Sequence, residues 1–202
     1  MKNEEKGSFM SRTECKITET GVIHGRFQVL HNDHLVYLRS GLSLCRHLVV
    51  GITNPDPLLT RDDAADPKRS DPAANPLSYY ERYVMVRAVF DEDGIPESRI
   101  SIVPFPINLP ELYKYYVPLD ALFFLSIYDE WGKRKLEHFE SLGLSTHVLR
   151  EVAVAHKGLS ATDIRRRMSE NQPWEDIVPP VVATLMIKWD IPSRIRALQP
   201  SH

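Results

Sequence analysis

The chain has 202 residues, enough for one domain, of which 43% are hydrophobic and 26% charged. Its 25 Lys+Arg against 27 Asp+Glu leave a net charge of -2, which argues against a strongly basic nucleic-acid binder. Two cysteines, Cys15 and Cys45, make neither a disulfide framework nor a Cys-based zinc site, and no window approaches the roughly 20 apolar residues that a membrane span needs.

Residues 1–16 are polar, carry no apolar stretch of the kind a secretory signal has, and read as a flexible tail before a domain expected over 17–202. Thr20–Phe27 (TGVIHGRF) predicts a buried strand. The next stretch has Leu35, Leu38 and Leu42 at helical spacing, with Asn32 or Asp33 as the expected cap. His47–Thr53 is an apolar run with β-branched residues, a second strand. Strand, helix and strand in this short span make a βαβ unit, which implies a parallel sheet. Asn54–Ser78 holds five prolines and five aspartates and no periodicity, so a long functional lid or a disordered segment is expected there.

Ser78 followed by Glu81 is a capping box for a helix that Gly94 stops. Ile100–Pro106 reads as a third strand, Ala121–Ile127 as a fourth, and THVLREV as a fifth. A helix ended by Gly143 lies between the last two. SATDIRRRMSE predicts a short helix, with Ser160 and Thr162 as cap candidates, and the remainder predicts one or two closing helices. The expected fold is α/β: a doubly wound, Rossmann-like parallel sheet with a helical C-terminal cap.

Two stretches carry chemistry. The first is Ile23–His34, IHGRFQVLHNDH, where strand 1 passes into helix 1. In open α/β sheets ligands bind at that carboxyl end. Gly25 admits close approach of an anion, the helix N-terminus favours phosphate, and Arg26 offers a fixed fork of donors. His31 and His34, three apart, share one helix face and are placed to donate to a polyphosphate. The second is Gly158–Met168, GLSATDIRRRM. Ser160, Ala161 and Thr162 open a helix, an anion site again, with Arg165 one turn on.

Together the two stretches are specific. G-R-F-Q-x-x-H-x-x-H after strand 1, with S-x-T-D-I-R-R-R-M far downstream, resembles the nucleotidyltransferase superfamily with the H-x-G-H signature. The archaeal type of nicotinamide-nucleotide adenylyltransferase is most similar. Asn75-Pro76-Leu77-Ser78 with Glu81-Arg82, Phe105-Pro106-Ile107 and Val178-Pro179 resemble further segments of that family. The resemblance implies that a mononucleotide 5′-phosphate attacks the α-phosphorus of ATP and pyrophosphate leaves. It implies that Gly25, Arg26, Phe27 and Gln28 hold phosphates. His31 and His34 would bind the triphosphate and stabilise the leaving group, and Ser160, Thr162 and Arg165 would hold its β- and γ-phosphates. Mg²⁺ would bridge phosphate oxygens with few protein ligands. Cytoplasmic location and a homo-oligomer, with no nucleic-acid or membrane partner, complete the expectation.

Two departures stand out. Asp33 occupies the place of the signature's glycine, and would be a tolerated variant, a ribose or Mg²⁺ contact, or the cause of lost activity. The family's pyridine-stacking Trp between strands 3 and 4 is absent. Tyr113 or Trp131 would replace it, with Asn75 also on the acceptor side, and Asp129 and Glu130 could meet a pyridinium cation. Three readings follow. The first is an adenylyltransferase acting on nicotinamide or nicotinate mononucleotide. The second is a sister nucleotidyltransferase with CTP as donor or a non-pyridine acceptor. The third is a catalytically impaired nucleotide-binding protein. A nicotinamide-dependent oxidoreductase is disfavoured because no G-x-G-x-x-G follows strand 1.

Overall fold

The computed structural model describes residues 17–59, 71–151, 158 and 160–198. The expected tail, the middle of the expected lid (60–70) and residues 152–157 and 159 lie outside the described residues. Among the described residues, five strands form one parallel sheet: β1 (Thr18–Gly25), β2 (Cys45–Thr53), β3 (Ile100–Phe105), β4 (Leu122–Ile127) and β5 (Ser145–Glu151). Their order is β3-β2-β1-β4-β5. Six α-helices surround them: α1 (Asn32–Ser43), α2 (Tyr79–Glu92), α3 (Glu130–Ser141), α4 (Ala161–Ser169), α5 (Pro180–Lys188) and α6 (Ile191–Ala197). This is the doubly wound α/β fold, and α4–α6 form the helical cap.

Both sheet faces are covered, which is why the strands read as continuous apolar runs rather than alternating ones. Alternation still decides which side chain meets which helix. Ile23 on β1 joins the larger core with Leu38 and Leu42 of α1, Met85 and Phe90 of α2, and residues of α4–α6. Val22 joins the smaller core with Phe139 of α3 and with Tyr113 and Val117 from the β3–β4 connection. Helices α1 and α2 therefore lie on one face and α3 on the other. The change of face falls between β1 and β4, the switch point where such sheets bind ligands. The ladder between these strands pairs only Gly21 with Leu122 and Val22 with Phe123. Past those residues, His24 and Ser126 face a cleft.

Element ends differ from expectation in instructive places. Strand β1 stops at Gly25, because Phe27 adopts φ 52°, a left-handed conformation that turns the chain off the sheet. Helix α1 starts after His31, not after an Asn32 or Asp33 cap; no side chain caps it, and the Asn32 amide donates instead to the Asp176 carbonyl at 3.2 Å. The capping box at Ser78 and Glu81 is present, with Ser78 accepting from the Glu81 amide. Ser160 caps α4 in the same reciprocal way with Asp163, and Thr162 does not cap it. Gly94 and Gly143 end α2 and α3 at φ +66° and +73°. Two closing helices, not one, follow because Asp190 breaks the run at φ 51°.

Candidate functional site

The cleft at the carboxyl ends of β1 and β4 encloses about 440 Å³. Its α1 side is built from the two stretches singled out in the sequence. Gly25, Arg26, Phe27, Gln28, His31, Asp33 and His34 line it, and so do Gly158, Ser160, Ala161 and Thr162. The two stretches, separated by well over a hundred residues, meet in one cradle. Arg165 of α4 donates to the Gln28 carbonyl, and the Asp33 carboxylate lies against Gly158. A Cβ on Gly158 would fall 2.2 Å from Asp33 Oδ2, so a larger residue there would require the Asp33 carboxylate to move aside. Asp33 itself is exposed at the mouth.

Several contacts shape the loop after β1. The buried Phe27 ring covers Gly25, where a Cβ would sit 2.8 Å from Phe27 Cζ. The same ring meets His34 edge-on at 5.1 Å. Gln28 is buried and clasps Leu77: its Nε2 donates to the Leu77 carbonyl and its Oε1 accepts from the Leu77 amide, both at 2.9 Å. The loop is thereby tied to the segment that precedes α2.

His31 and His34 stack, with ring centroids 3.8 Å apart. Burial pushes the His31 pKa down to about 4, against a smaller upward pull from Asp33 and Asp163. Burial, and then the neighbouring His31, hold His34 well below the ordinary histidine value. His34 Nδ1 is buried without a hydrogen-bond partner. Both rings are neutral near pH 7, which leaves each with one N–H to donate.

Three expected site residues lie elsewhere. Arg165 is buried and does not line the cleft; its guanidinium serves the Gln28 carbonyl and Thr162 Oγ1, the latter at 3.2 Å. It therefore ties the start of α4 to the β1–α1 loop. Tyr113 is 1% exposed, packs on Phe105 at 4.6 Å and donates its hydroxyl to the Ile107 carbonyl. It is a core residue, not a stacking platform. Asn75 donates to the Asp71 carbonyl at 2.9 Å, outside the cleft. Trp131 does line the cleft, and Lys135 Nζ sits 4.6 Å from its ring centroid. Asp129 caps α3 through the Gly132 amide and also lines the cleft, while Glu130 pairs with Lys133 at 2.8 Å.

The α3 side of the cleft was not foreseen. His24, Thr53, Asn108 and Lys135 line it beside Trp131. His24 lies between the rings of Phe105 and Phe139, at centroid distances of 5.7 and 5.3 Å. Its sequence signal was a polar residue at the penultimate position of an apolar strand, on the side opposite Ile23.

Behind the cleft, Arg82 of α2 is 1% exposed, and its guanidinium is held by backbone carbonyls. It donates to the carbonyls of Ser78, Arg26, Thr53, Asn54 and Pro55. Burial, with Arg26 nearby, lowers its pKa to about 10, so it stays charged at neutral pH. The chain ends leaving β1 and β2 are gathered on this one guanidinium. Among the described residues, no group of three His, Cys, Asp or Glu side chains is placed to hold a metal ion.

Comparison with known proteins bears on what this cleft is. The chain is 48% identical over 182 residues to a phosphonoformate cytidylyltransferase from Streptomyces viridochromogenes, covering 90% of this chain and 98% of that one. It is 29% identical over 179 residues to a nicotinamide-nucleotide adenylyltransferase from Thermococcus onnurineus, covering 88% and 87%. Among solved structures, a bifunctional NMN adenylyltransferase/ADP ribose pyrophosphatase from Francisella tularensis superposes with a TM-score of 0.58 at 16% identity. That match covers 89% of this chain but only 53% of the bifunctional one, and it shows the fold alone. The cytidylyltransferase-like family model matches residues 22–167, which take in the first stretch and all but the last residue of the second, and the chain belongs to that nucleotidyltransferase family.

Proposed function

We propose that the protein transfers a cytidylyl group from CTP to a small phosphonic or phosphoric acid of the phosphonoformate kind and releases pyrophosphate. The observation that carries this reading is the 48% identity to a phosphonoformate cytidylyltransferase along nearly the whole of that relative. The acceptor side supports it. Tyr113 lies in the core, and the wall there offers the cation of Lys135 and the imidazole of His24. These suit a compact anion better than a pyridine ring. Adenylyl transfer to a pyridine mononucleotide is the second reading, favoured by the 29% identical relatives and by the indole of Trp131 in the cleft.

An ionised acceptor oxygen attacks the α-phosphorus of CTP. A new P–O bond forms, the bond from the α-phosphorus to the α,β-bridging oxygen breaks, and pyrophosphate leaves with that electron pair. The nucleophile needs no base, so the residues act by positioning and by electrostatics. His31 and His34 donate to triphosphate oxygens, and Ser160 and the start of α4 face the same phosphates. Arg26 adds positive charge at the loop. Mg²⁺ would be held mainly by oxygens of the bound triphosphate, and Asp33 and Asp129 are the cleft-lining carboxylates that could add to its ligands. Adding it neutralises phosphate charge.

The test is direct. Purified protein with Mg²⁺ is offered CTP or ATP in combination with phosphonoformate, nicotinamide mononucleotide or nicotinate mononucleotide. Pyrophosphate release is expected with CTP and phosphonoformate. Release confined to ATP with a pyridine mononucleotide would overturn the reading. Nucleotide binding without turnover that Asp33→Gly restores would establish an impaired enzyme instead.

A further inference from the structure

The His24 imidazole is enclosed on the α3 side of the cleft, and both its nitrogens are buried without a hydrogen-bond partner. Buried polar side-chain atoms in native proteins nearly always find partners, so a ring with neither nitrogen satisfied calls for a reason. Packing gives none. An apolar side chain between Phe105 and Phe139 would fill the same space with no polar atoms to desolvate. The ring belongs to the residue just before Gly25, at the point where β1 and β4 part. Lys135, one turn along α3 from Trp131, lines the same wall. The His31–His34 pair lies on the α1 side. The two sides thus present different chemistry to one space.

We propose that His24 and Lys135 form the subsite for the acceptor's second anionic group, a carboxylate attached close to its phosphorus, and so select the acceptor. This deepens the proposed cytidylyl transfer and rests on it. An acceptor with its phosphorus acid turned toward the triphosphate points its other substituent at the α3 wall. A neutral imidazole there supplies one N–H to a carboxylate oxygen. Burial holds His24 well below the ordinary histidine value, and Lys135 adds to that lowering. Charge recognition therefore falls to the ammonium and geometry to the imidazole. An acceptor lacking the carboxylate leaves the imidazole unsatisfied, which is the strong way for a site to reject a close analogue.

Steady-state kinetics with CTP and Mg²⁺ tests this, using phosphonoformate and methylphosphonate, the latter also as a competitive inhibitor. In His24→Leu, KM for phosphonoformate is expected to rise roughly 10- to 100-fold with kcat little changed. The constants for methylphosphonate stay as in wild type, and His24→Gln, which keeps an N–H donor, recovers much of the loss. Lys135→Met gives the same selective rise and guards against a packing defect in the first variant. Equal losses for both acceptors, or unchanged discrimination in His24→Leu and Lys135→Met, would overturn the subsite while leaving cytidylyl transfer standing. No cytidylyl transfer by the wild-type protein would overturn the proposed activity and the subsite with it.

Discussion

At the scale of single residues, the histidine pair shows how position sets chemistry. Two rings stacked at 3.8 Å cannot both be charged in a buried site, and burial already holds His31 near pKa 4. A triphosphate changes the balance, because anions beside the rings favour the protonated form. Nucleotide binding is therefore expected to draw in protons near pH 6. Titration calorimetry of CTP in two buffers of different ionisation enthalpy reads the number directly. Uptake should shrink in His31→Ala, and no uptake in the wild type would mean that the rings do not meet the phosphates. The spacing of His31 and His34 was legible in the sequence because a short helical period fixes a shared face. The direction of Arg165 was not. A basic helix face says nothing of which arginine turns inward, and this one is buried against a carbonyl 137 residues away in the chain. His24 went unread for a related reason: one polar residue near the end of an apolar strand looks like part of the strand.

At the scale of elements, the cleft is held open by connections that no local pattern displays. Helix α2 could be read from its capping box and its glycine stop, since both are local. What α2 does is tertiary: its Arg82 binds carbonyls from the exits of β1 and β2 as well as its own cap residue. Each carbonyl left without a donor in that dry place costs about 1–3 kcal/mol. Arg82→Lys keeps the charge but cannot reproduce the fork of donors. It is expected to lose about 2 kcal/mol of stability and to lower the melting temperature by about 4–8 °C. Differential scanning calorimetry checks this, and a variant melting with the wild type would show that the carbonyls find other donors. The misplaced cap of α1 has the same origin as the silence about Arg82. Asn32 is a good cap by type, yet the Asp176 carbonyl, 144 residues on, takes its amide.

At the scale of the whole molecule, the alternation of strand and helix announced a parallel sheet, while the strand order depended on pairings between distant segments that propensity does not encode. That order puts a cleft where β1 and β4 separate and gathers His24, His31 and His34 around it, all three buried enough to disfavour charge. Stability then depends on pH with a definite sign. In the unfolded chain these histidines take protons near pH 6.5, while in the folded chain they resist until well below it, to about 4 for His31. Between those limits the unfolded state binds more protons, so stability falls as pH falls, and above pH 6.5 these groups contribute no slope. For His31 alone the full shift corresponds to about 3 kcal/mol. Urea unfolding of the ligand-free protein is therefore expected to show a stability that declines between pH 6.5 and 4. Replacing His31 with Asn, which cannot be protonated, should flatten part of that decline. A curve level across this interval would mean that the cleft admits water and lets the imidazoles ionise freely in the folded state.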